Sequence, residues 1–256
     1  MDHVAEADPQ PLDRTRDWQR AWRALRNLID DPERTDQVFE IIGALSGDAF
    51  DRAFMRFAAS PDGRRLLIDR PSLLATLSNR TALAELPEGS FGRAYANFML
   101  AGQLAAAGLV EADETAMQNS PRRDRPDPDM EFFGDRLRDM HDLWHVLTGY
   151  GHDEAGEAAN LAFTLGQVWN VGIAVIVVAA MVLGPKDASF HWQRYLYQAW
   201  QRGRRARLLS AAAYESLLPL PLEDVRRQLG IEPPDVAHPG GILAGDRGQY
   251  VHAVAA

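Results

Sequence analysis

The sequence contains no cysteine in its 256 residues. A chain without thiols has no disulfide framework, no thiolate zinc site, no iron–sulfur cluster and no cysteine nucleophile. Any metal ion that it binds must therefore be held by histidine, aspartate and glutamate. Lysine is almost as scarce, because Lys186 is the single lysine among 27 basic residues. The formal net charge of −9 argues against a nucleic-acid-binding protein, since such proteins usually carry a basic excess.

Long apolar runs are also missing. The nearest candidate is Val171–Leu183, a stretch without a charged residue that is shorter than the roughly 18 apolar residues expected of a membrane-spanning helix. As a helix it would be roughly 20 Å long, against the ~30 Å hydrocarbon core of a bilayer. We predict a helix buried in the protein core. The alternative is a helix that lines a lipid pocket or rests in a membrane surface.

Residues 1–16 mix charges with two prolines and lack the apolar core of a secretory signal. We predict a short disordered arm there, one domain over residues 17–234, and a flexible tail over residues 235–256. A chain near this length buries roughly 70–75% of its unfolded surface, which is enough for a sizeable core. The amino-terminal pattern predicts a cytoplasmic protein.

Apolar residues recur at intervals of three and four along most of the chain, and no convincing strand alternation is present. The pattern predicts an all-α protein, a single-domain helical bundle. Helices are predicted over residues 130–148, 154–183 and 189–209, among others.

The stretch that carries chemistry holds two histidines and two carboxylates. His141 and His145 lie on one helix face at a spacing of four, and Asp142 precedes His145 by three. On one unbroken helix Glu157 would lie about 160° from His141, on the opposite face. The glycines at positions 149 and 151 predict a helix end, and a helical hairpin brings Glu157 opposite His145 at similar depth. Histidine nitrogen with carboxylate oxygen suits zinc, iron, manganese or cobalt.

Other interpretations of these residues remain open. Two histidines four apart also occur by chance as hydrogen-bonded helix residues. We interpret His152 as a loop residue or a neighbour of the ligands, and His191 as a packing or substrate-pocket residue. A phosphohydrolase of the HD type also uses an adjacent His-Asp pair, but it needs a further upstream histidine, and the only one here is His3 in the predicted arm.

The metal motif resembles that of a known family. His141-Asp142-x-x-His145, eleven further residues and Glu157 are similar to the HDxxH-x11-E motif of the coenzyme Q biosynthesis protein 4 family. The sequence HDLWHVLTG, at residues 141–149, is close to the family consensus.

Flanking segments support the resemblance. Residues 86–95 are similar to the LPxxTFGxAY segment of the family, with Ser90 in place of the commoner threonine. Residues 200–209 and 222–234 are similar to its carboxy-terminal pattern. The resemblance covers about residues 18–234. The acidic start differs from the mitochondrial presequence of eukaryotic members and suggests a bacterial member.

The resemblance implies an all-helical protein of ubiquinone biosynthesis. It implies metal-dependent (oxidative) decarboxylation at ring C1 of a polyprenylated 4-hydroxybenzoate-type intermediate. His141, Asp142, His145 and Glu157 would then be the ligands of a divalent ion, zinc or iron, and form the catalytic centre. A polyprenyl tail would need an apolar channel. The candidate substrate-binding residues are Val171, Val175, Phe98, Met99 and Leu100 for the tail, and Arg202, Arg204 and Arg205 for the substrate carboxylate or anionic headgroups.

The resemblance also implies partners and a place in the cell. We expect a polyprenylated quinone precursor, other ubiquinone-biosynthesis proteins and peripheral contact with the bacterial inner membrane from the cytoplasm, without nucleic acid. A homodimer is compatible with the sequence. The alternative function is a non-catalytic lipid-binding organiser of a quinone-biosynthesis complex with a structural metal. A solvated helix face is the alternative for the arginine cluster.

Overall fold

The structure, a computed structural model, describes residues 15–31, 34–102, 127–184 and 191–235. Within these ranges the chain forms fourteen α-helices and one 3-10 turn, and no β-strand occurs in them. The prediction of an all-α bundle is confirmed. Residues 1–14 of the predicted arm, with His3, and residues 236–256 of the predicted tail lie outside the described residues.

The described residues form the following helices in chain order. They are α1 (Trp18–Asp30), α2 (Thr35–Leu45), α3 (Ala49–Ala59), α4 (Pro61–Asp69), α5 (Leu73–Ser78), α6 (Arg80–Glu85), α7 (Phe91–Ala101), α8 (Pro128–Asp139), α9 (His141–Thr148), α10 (Glu154–Gln167), α11 (Val171–Leu183), α12 (Trp192–Arg205), α13 (Tyr214–Leu217) and α14 (Leu222–Leu229), with the 3-10 turn Leu209–Ala211 before α13.

The segment predicted as one helix over residues 154–183 is two helices. Val168 leaves the helical conformation with φ −129° and ψ 105°, so α10 ends at Gln167. Asn170 then caps α11, because its Oδ1 accepts hydrogen bonds from the backbone N–H of Gly172 at 2.7 Å and of Ile173 at 3.2 Å. The break lets α11 turn back along α10.

Helices α10, α11 and α12 pack side by side with alternating direction. At one end the Tyr195 hydroxyl at the start of α12 donates to the Ala155 carbonyl at the start of α10, at 3.3 Å. The Trp192 indole N–H donates to the Ala180 carbonyl near the end of α11, at 2.7 Å. The end of α11 therefore returns to the start of α10.

At the other end of these helices the backbones of α10 and α12 touch. A Cβ atom on Gly203 would lie 2.0 Å from the carbonyl oxygen of Phe163, and one on Gly166 would lie 2.4 Å from that of Trp200. Glycine is required at these two crossings because any side chain would push the helices apart. The Gln167 amide closes the contact by donating to the Gly203 carbonyl.

The apolar helix α11 has two different faces. Val171 and Val175 are partly buried against a cluster that includes residues of α1 and α2, among them Leu25 and Ile41. Val182, at 66% exposure, lies on the open side together with Val178 and Leu183. Among the described helices, none is both long enough and apolar enough to traverse a bilayer.

Candidate metal centre

Helix α9 is a two-turn helix in the middle of the protein, and seven of its eight residues are buried. It ends because Gly149 adopts the left-handed conformation, with φ 79°, and its N–H donates to the His145 carbonyl at 2.9 Å. Glycine takes this conformation without steric cost, as the sequence predicted for this helix end.

The chain then turns back at once into α10. The Asp153 carboxylate accepts from the backbone N–H of Ala155 at 3.0 Å and of Gly156 at 3.1 Å, which begins the helix. A Cβ atom on Gly156 would lie 1.9 Å from the Gly151 carbonyl oxygen, so only glycine lets α10 start against the turn. The predicted helical hairpin therefore exists, and it presents Glu157 to α9.

Three of the four predicted ligands meet in this hairpin. The Nε2 atoms of His141 and His145 are 3.3 Å apart, and the Oε2 atom of Glu157 is 3.6 Å and 3.3 Å from them respectively. Their ligand atoms all lie within 4.8 Å of one another. Two ligands about 2.0–2.1 Å from one tetrahedral ion lie about 3.3 Å apart, so the two nitrogens have the separation that a shared ion requires.

Asp142 is not part of this cluster. One residue is a rotation of 100° on a helix, so its short side chain leaves α9 away from His141. The side chain is buried, and its charge reaches the site through space. It raises the pKa of His145 and, after the larger effect of burial, the pKa of Tyr95. The structure therefore places Asp142 outside the group formed by His141, His145 and Glu157, and its role as a fourth ligand stays a prediction.

His145 is held in one orientation from behind. Its Nδ1 atom is 3.2 Å from the Tyr150 carbonyl oxygen, which can only accept, so Nδ1 carries the hydrogen and Nε2 faces the cluster. The Phe98 ring stacks on the imidazole at 5.5 Å and 19° between planes. His152 touches the edge of the same Phe98 ring from the exposed side and lies outside the cluster.

The charges of neighbouring side chains set the direction in which the pKa values of His145 and Glu157 are shifted. Burial opposes protonation of His145, but the Glu157 carboxylate, Asp142 and the Tyr150 carbonyl outweigh it and raise the pKa of His145 above its ordinary value. Burial would raise the pKa of Glu157, yet the two imidazoles lower it well below the usual range. A positive ion can replace the proton that this site attracts.

The three side chains of the cluster differ in their exposure to solvent. The side chain of His145 is 1% exposed, whereas those of His141 and Glu157 are 27% and 42% exposed. His145 therefore forms the floor of the site, and a ligand reaches it past His141 and Glu157.

Arg226 closes the carboxyl end of the metal helix. This buried arginine of α14 donates from Nη2 to the Val146 carbonyl at 2.8 Å and from Nε to the Leu147 carbonyl at 2.9 Å. Its Nη1 pairs with Glu223 at 2.6 Å. The last carbonyls of a helix have no partner inside the helix, and a cation also suits that end of its dipole. Sequence reasoning missed this role of Arg226, and the orphan carbonyls of a buried helix end were the available signal.

Arg202 likewise donates to the next backbone carbonyl of α9, that of Thr148. It is buried, donates to the Thr148 carbonyl at 3.0 Å and the Glu232 carbonyl at 2.8 Å, and lies 5.0 Å over the Tyr150 ring. Arg204 and Arg205 are exposed, with Arg204 over Trp200. The predicted arginine cluster is therefore divided into one buried residue, Arg202, and two exposed residues at the end of α12, Arg204 and Arg205.

The other predicted contacts lie in separate places. Phe98 touches the cluster, Met99 is buried in the core, and Leu100 is exposed. Val171 and Val175 lie at the end of α11 remote from Ala180 and contact the α1–α2 cluster instead. His191 is an exposed residue preceding α12.

Comparison with known proteins identifies relatives of the whole domain. A family model described as "Coenzyme Q (ubiquinone) biosynthesis protein Coq4" matches residues 12–235. The mitochondrial ubiquinone biosynthesis protein COQ4 homolog of Bos taurus is 30% identical over 211 residues, covering 80% of this chain and 74% of its own length. The mitochondrial homolog of Aedes aegypti is 28% identical over 217 residues, covering 83% and 74% respectively.

A solved structure supports the fold. A crystal structure of a protein from Nostoc punctiforme PCC 73102 superimposes with a TM-score of 0.59 at 20% identity. The match covers 85% of this chain and 100% of that one. At this identity the likeness concerns the fold.

Proposed function

Because the chain belongs to the Coq4 family of coenzyme Q (ubiquinone) biosynthesis proteins and acts in ubiquinone biosynthesis, we propose that its His–His–Glu cluster is a catalytic metal centre. The reaction we assign to it is decarboxylation at ring C1 of a polyprenylated 4-hydroxybenzoate-type intermediate. The observation that carries the proposal is the meeting of His141, His145 and Glu157 at ligand distances in a half-open, negatively charged site.

The donor set fits a divalent zinc or iron ion. Two imidazoles and one carboxylate leave coordination positions free, as catalytic metals require. A bound ion would polarise the ring carboxylate or phenolate oxygen and, if it were iron, could also activate dioxygen. Asp142 would add negative charge beside the ion, which is consistent with its effect on the pKa of His145.

In the oxidative form of the reaction the bond between C1 and the carboxylate breaks and the carbon leaves as CO2. One atom of O2 becomes the new ring hydroxyl. The other leaves as water after two electrons and two protons arrive from an external reductant. Zinc has no redox chemistry, so this form requires a redox metal, whereas simple decarboxylation replaces the carboxylate with a proton and does not.

The residues of the chain prepare the site for this chemistry. Tyr150 fixes the tautomer of His145, so that Nε2 is free to bind. Phe98 covers the imidazole and keeps water from that side. The exposed edges of His141 and Glu157 leave the approach for the ring of the substrate.

We place the polyprenyl tail along the open face of α11. Val178, Val182 and Leu183 form an exposed apolar surface. Trp192 and Tyr195 of α12 join the end of this helix to the start of α10, the helix that carries Glu157. An exposed apolar surface suits the tail of a lipid whose ring is processed at the metal centre. Val171 and Val175 would then anchor the start of α11 against the α1–α2 cluster.

Peripheral membrane contact follows from the same surface. A polyprenylated precursor resides in the membrane, so we propose that the protein works at the cytoplasmic face of the bacterial inner membrane, with other ubiquinone-biosynthesis proteins. Arg204 and Arg205 remain candidate contacts for anionic headgroups or for the substrate carboxylate.

Metal binding is tested by elemental analysis of purified variants. His145→Ala should remove most of the bound metal, because it deletes the buried ligand of the cluster. His152→Ala is the matched control, since His152 touches the same Phe98 ring without joining the cluster. A full metal complement in His145→Ala would overturn the ligand assignment.

The exposed apolar face of α11 also favours a second function, that of a non-catalytic lipid-binding organiser with a structural metal. Turnover of a prenylated hydroxybenzoate by the purified protein separates the two. Absence of turnover with iron, cobalt, manganese and zinc, each supplied with oxygen and a reductant, would refute the enzyme and leave the organiser.

A further inference from the structure

Asn160 is a fully buried side chain whose hydrogen bonds are missing. It lies on α10, one turn after Glu157, and its exposure is 0%. Neither the oxygen nor the nitrogen of its carboxamide has a hydrogen-bond partner among the residues that the structure describes. Burying an amide in this state costs free energy, so a buried orphan usually marks a bound water, an ion or a functional role.

The position of Asn160 on α10 shows what it faces. At 100° per residue Asn160 lies midway between Glu157 and Phe163 on the helix surface. Glu157 contacts the two histidines of α9. The Phe163 ring lies 6.1 Å from that of Trp144, also on α9, in an edge-to-face arrangement. Asn160 therefore points at α9, between the metal cluster and Trp144.

Gln167, another buried amide on α10, has hydrogen-bond partners for both its oxygen and its nitrogen. Gln167 donates to the Gly203 carbonyl and accepts from the Leu209 N–H at 2.9 Å. Both halves of that carboxamide are used to join α10 to its neighbours. The contrast indicates that Asn160 is not kept for packing, because a leucine of the same shape would fill the space without an unsatisfied amide.

We propose that Asn160 is a positioning residue of the metal centre, whose carboxamide holds an oxygen-donor ligand, a water molecule in the free protein, on the interior side of the ion. A carboxamide can accept from that water and donate to a second oxygen, so it suits an oxygen ligand better than an aliphatic neighbour does. The inference rests on the metal centre proposed above and adds to it a fourth, non-protein ligand with a defined neighbour.

The test compares three proteins, each without metal and loaded with Co²⁺. They are the wild type, Asn160→Leu, which keeps the shape and removes the amide, and the control Gln167→Met, which removes a partnered amide from the same helix. Thermal unfolding of the three metal-free proteins measures how each substitution changes the stability of the fold. The visible absorption of bound Co²⁺, which strengthens as its coordination number falls, reports the ligands.

We expect opposite patterns from the two variants. Asn160→Leu without metal should unfold at or above the wild-type temperature, and its Co²⁺ absorption should differ from that of the wild type. Its Co²⁺ affinity should fall roughly tenfold, as is typical when a group next to the ligands is removed. Gln167→Met should unfold at a lower temperature but keep the wild-type Co²⁺ spectrum. Asn160→Asp retains an oxygen acceptor and should keep that spectrum too.

Each other result contradicts the inference. A wild-type spectrum and affinity in Asn160→Leu would show that the amide holds no ligand, and lowered stability of its metal-free form would show that the amide serves packing. If Asn160→Leu does not fold, Asn160→Ala also removes the amide, and a wild-type spectrum and affinity in that variant would have the same meaning. Failure of the wild type itself to bind Co²⁺ would instead refute the metal centre, and this inference with it.

Discussion

Replacing Arg226 should cost far more stability than replacing the arginine beside it. Arg226 is buried in α14 and donates to the carbonyls of Val146 and Leu147, which end the metal helix α9. Methionine at position 226 would keep most of the apolar stem and lose the guanidinium. Both carbonyls would then stay buried without a partner.

The magnitude follows from these two carbonyls. An unsatisfied buried acceptor costs about 1–3 kcal/mol, so the loss should be about 2–6 kcal/mol. The pairing of Arg226 with Glu223 adds little, because that carboxylate is mostly exposed. In a domain of this size 1 kcal/mol shifts the melting temperature by about 2–4 °C. We therefore expect Arg226→Met to melt roughly 10 °C below the wild type.

Arg227→Met is the matched control. Arg227 lies one position along, is 75% exposed and pairs with Asp224 on the surface, a type of contact worth at most about 1 kcal/mol. Thermal unfolding followed by circular dichroism on the metal-free proteins measures both. If Arg226→Met and Arg227→Met shift the midpoint equally, Arg226 does not cap the metal helix in the way described.

Two further predictions concern titration and close packing. In the metal-free protein the imidazole of His145 should titrate above its ordinary pKa of 6.5, and Glu157→Gln should lower that pKa, as NMR titration can show. Because the folded-state pKa is raised, this coupling stabilises the metal-free fold below about pH 6.5 and is lost as pH rises through the folded-state pKa, so an unshifted imidazole would contradict it. Gly156→Ala should destabilise the protein by about 3 kcal/mol, since its methyl group would overlap the Gly151 backbone. Gly43→Ala, in open space on α2, should instead stabilise it by about 0.5–1 kcal/mol, and equal denaturant midpoints for the two variants would refute the argument.

Local signals explain which parts of the fold and site were predictable. Glycine at the end of α9 and Asp153 at the start of α10 act within a few residues, so the hairpin could be predicted from spacing alone. The hairpin in turn brings Glu157 to His141 and His145. Helix α11 is predictable because an uncharged apolar run of thirteen residues is longer than a typical β-strand and too short to span a membrane.

The remaining features depend on contacts that spacing does not encode. Asp142 has the right spacing, but the rotamer of a short side chain is set by its surroundings. Arg202 looks like part of a charged surface in the sequence, whereas the fold buries it against Thr148 and Tyr150. Asn160 carries no sequence signal, because its missing partners become visible only once the helices are packed.

The contact between the backbones of α10 and α12 has a consequence for the rate of metal exchange. With Gly203 against Phe163 these helices cannot slide, and Arg202 and Arg226 tie the end of α9 to the same body. We therefore expect an ion to enter and leave past the exposed side chains of His141 and Glu157, without separation of helices on the microsecond-to-millisecond scale of hinge motions. The mobile parts are the exposed side chains of the cluster, whose rotamers change in picoseconds to nanoseconds, so exchange should be governed by ligand affinity instead of by opening of the fold.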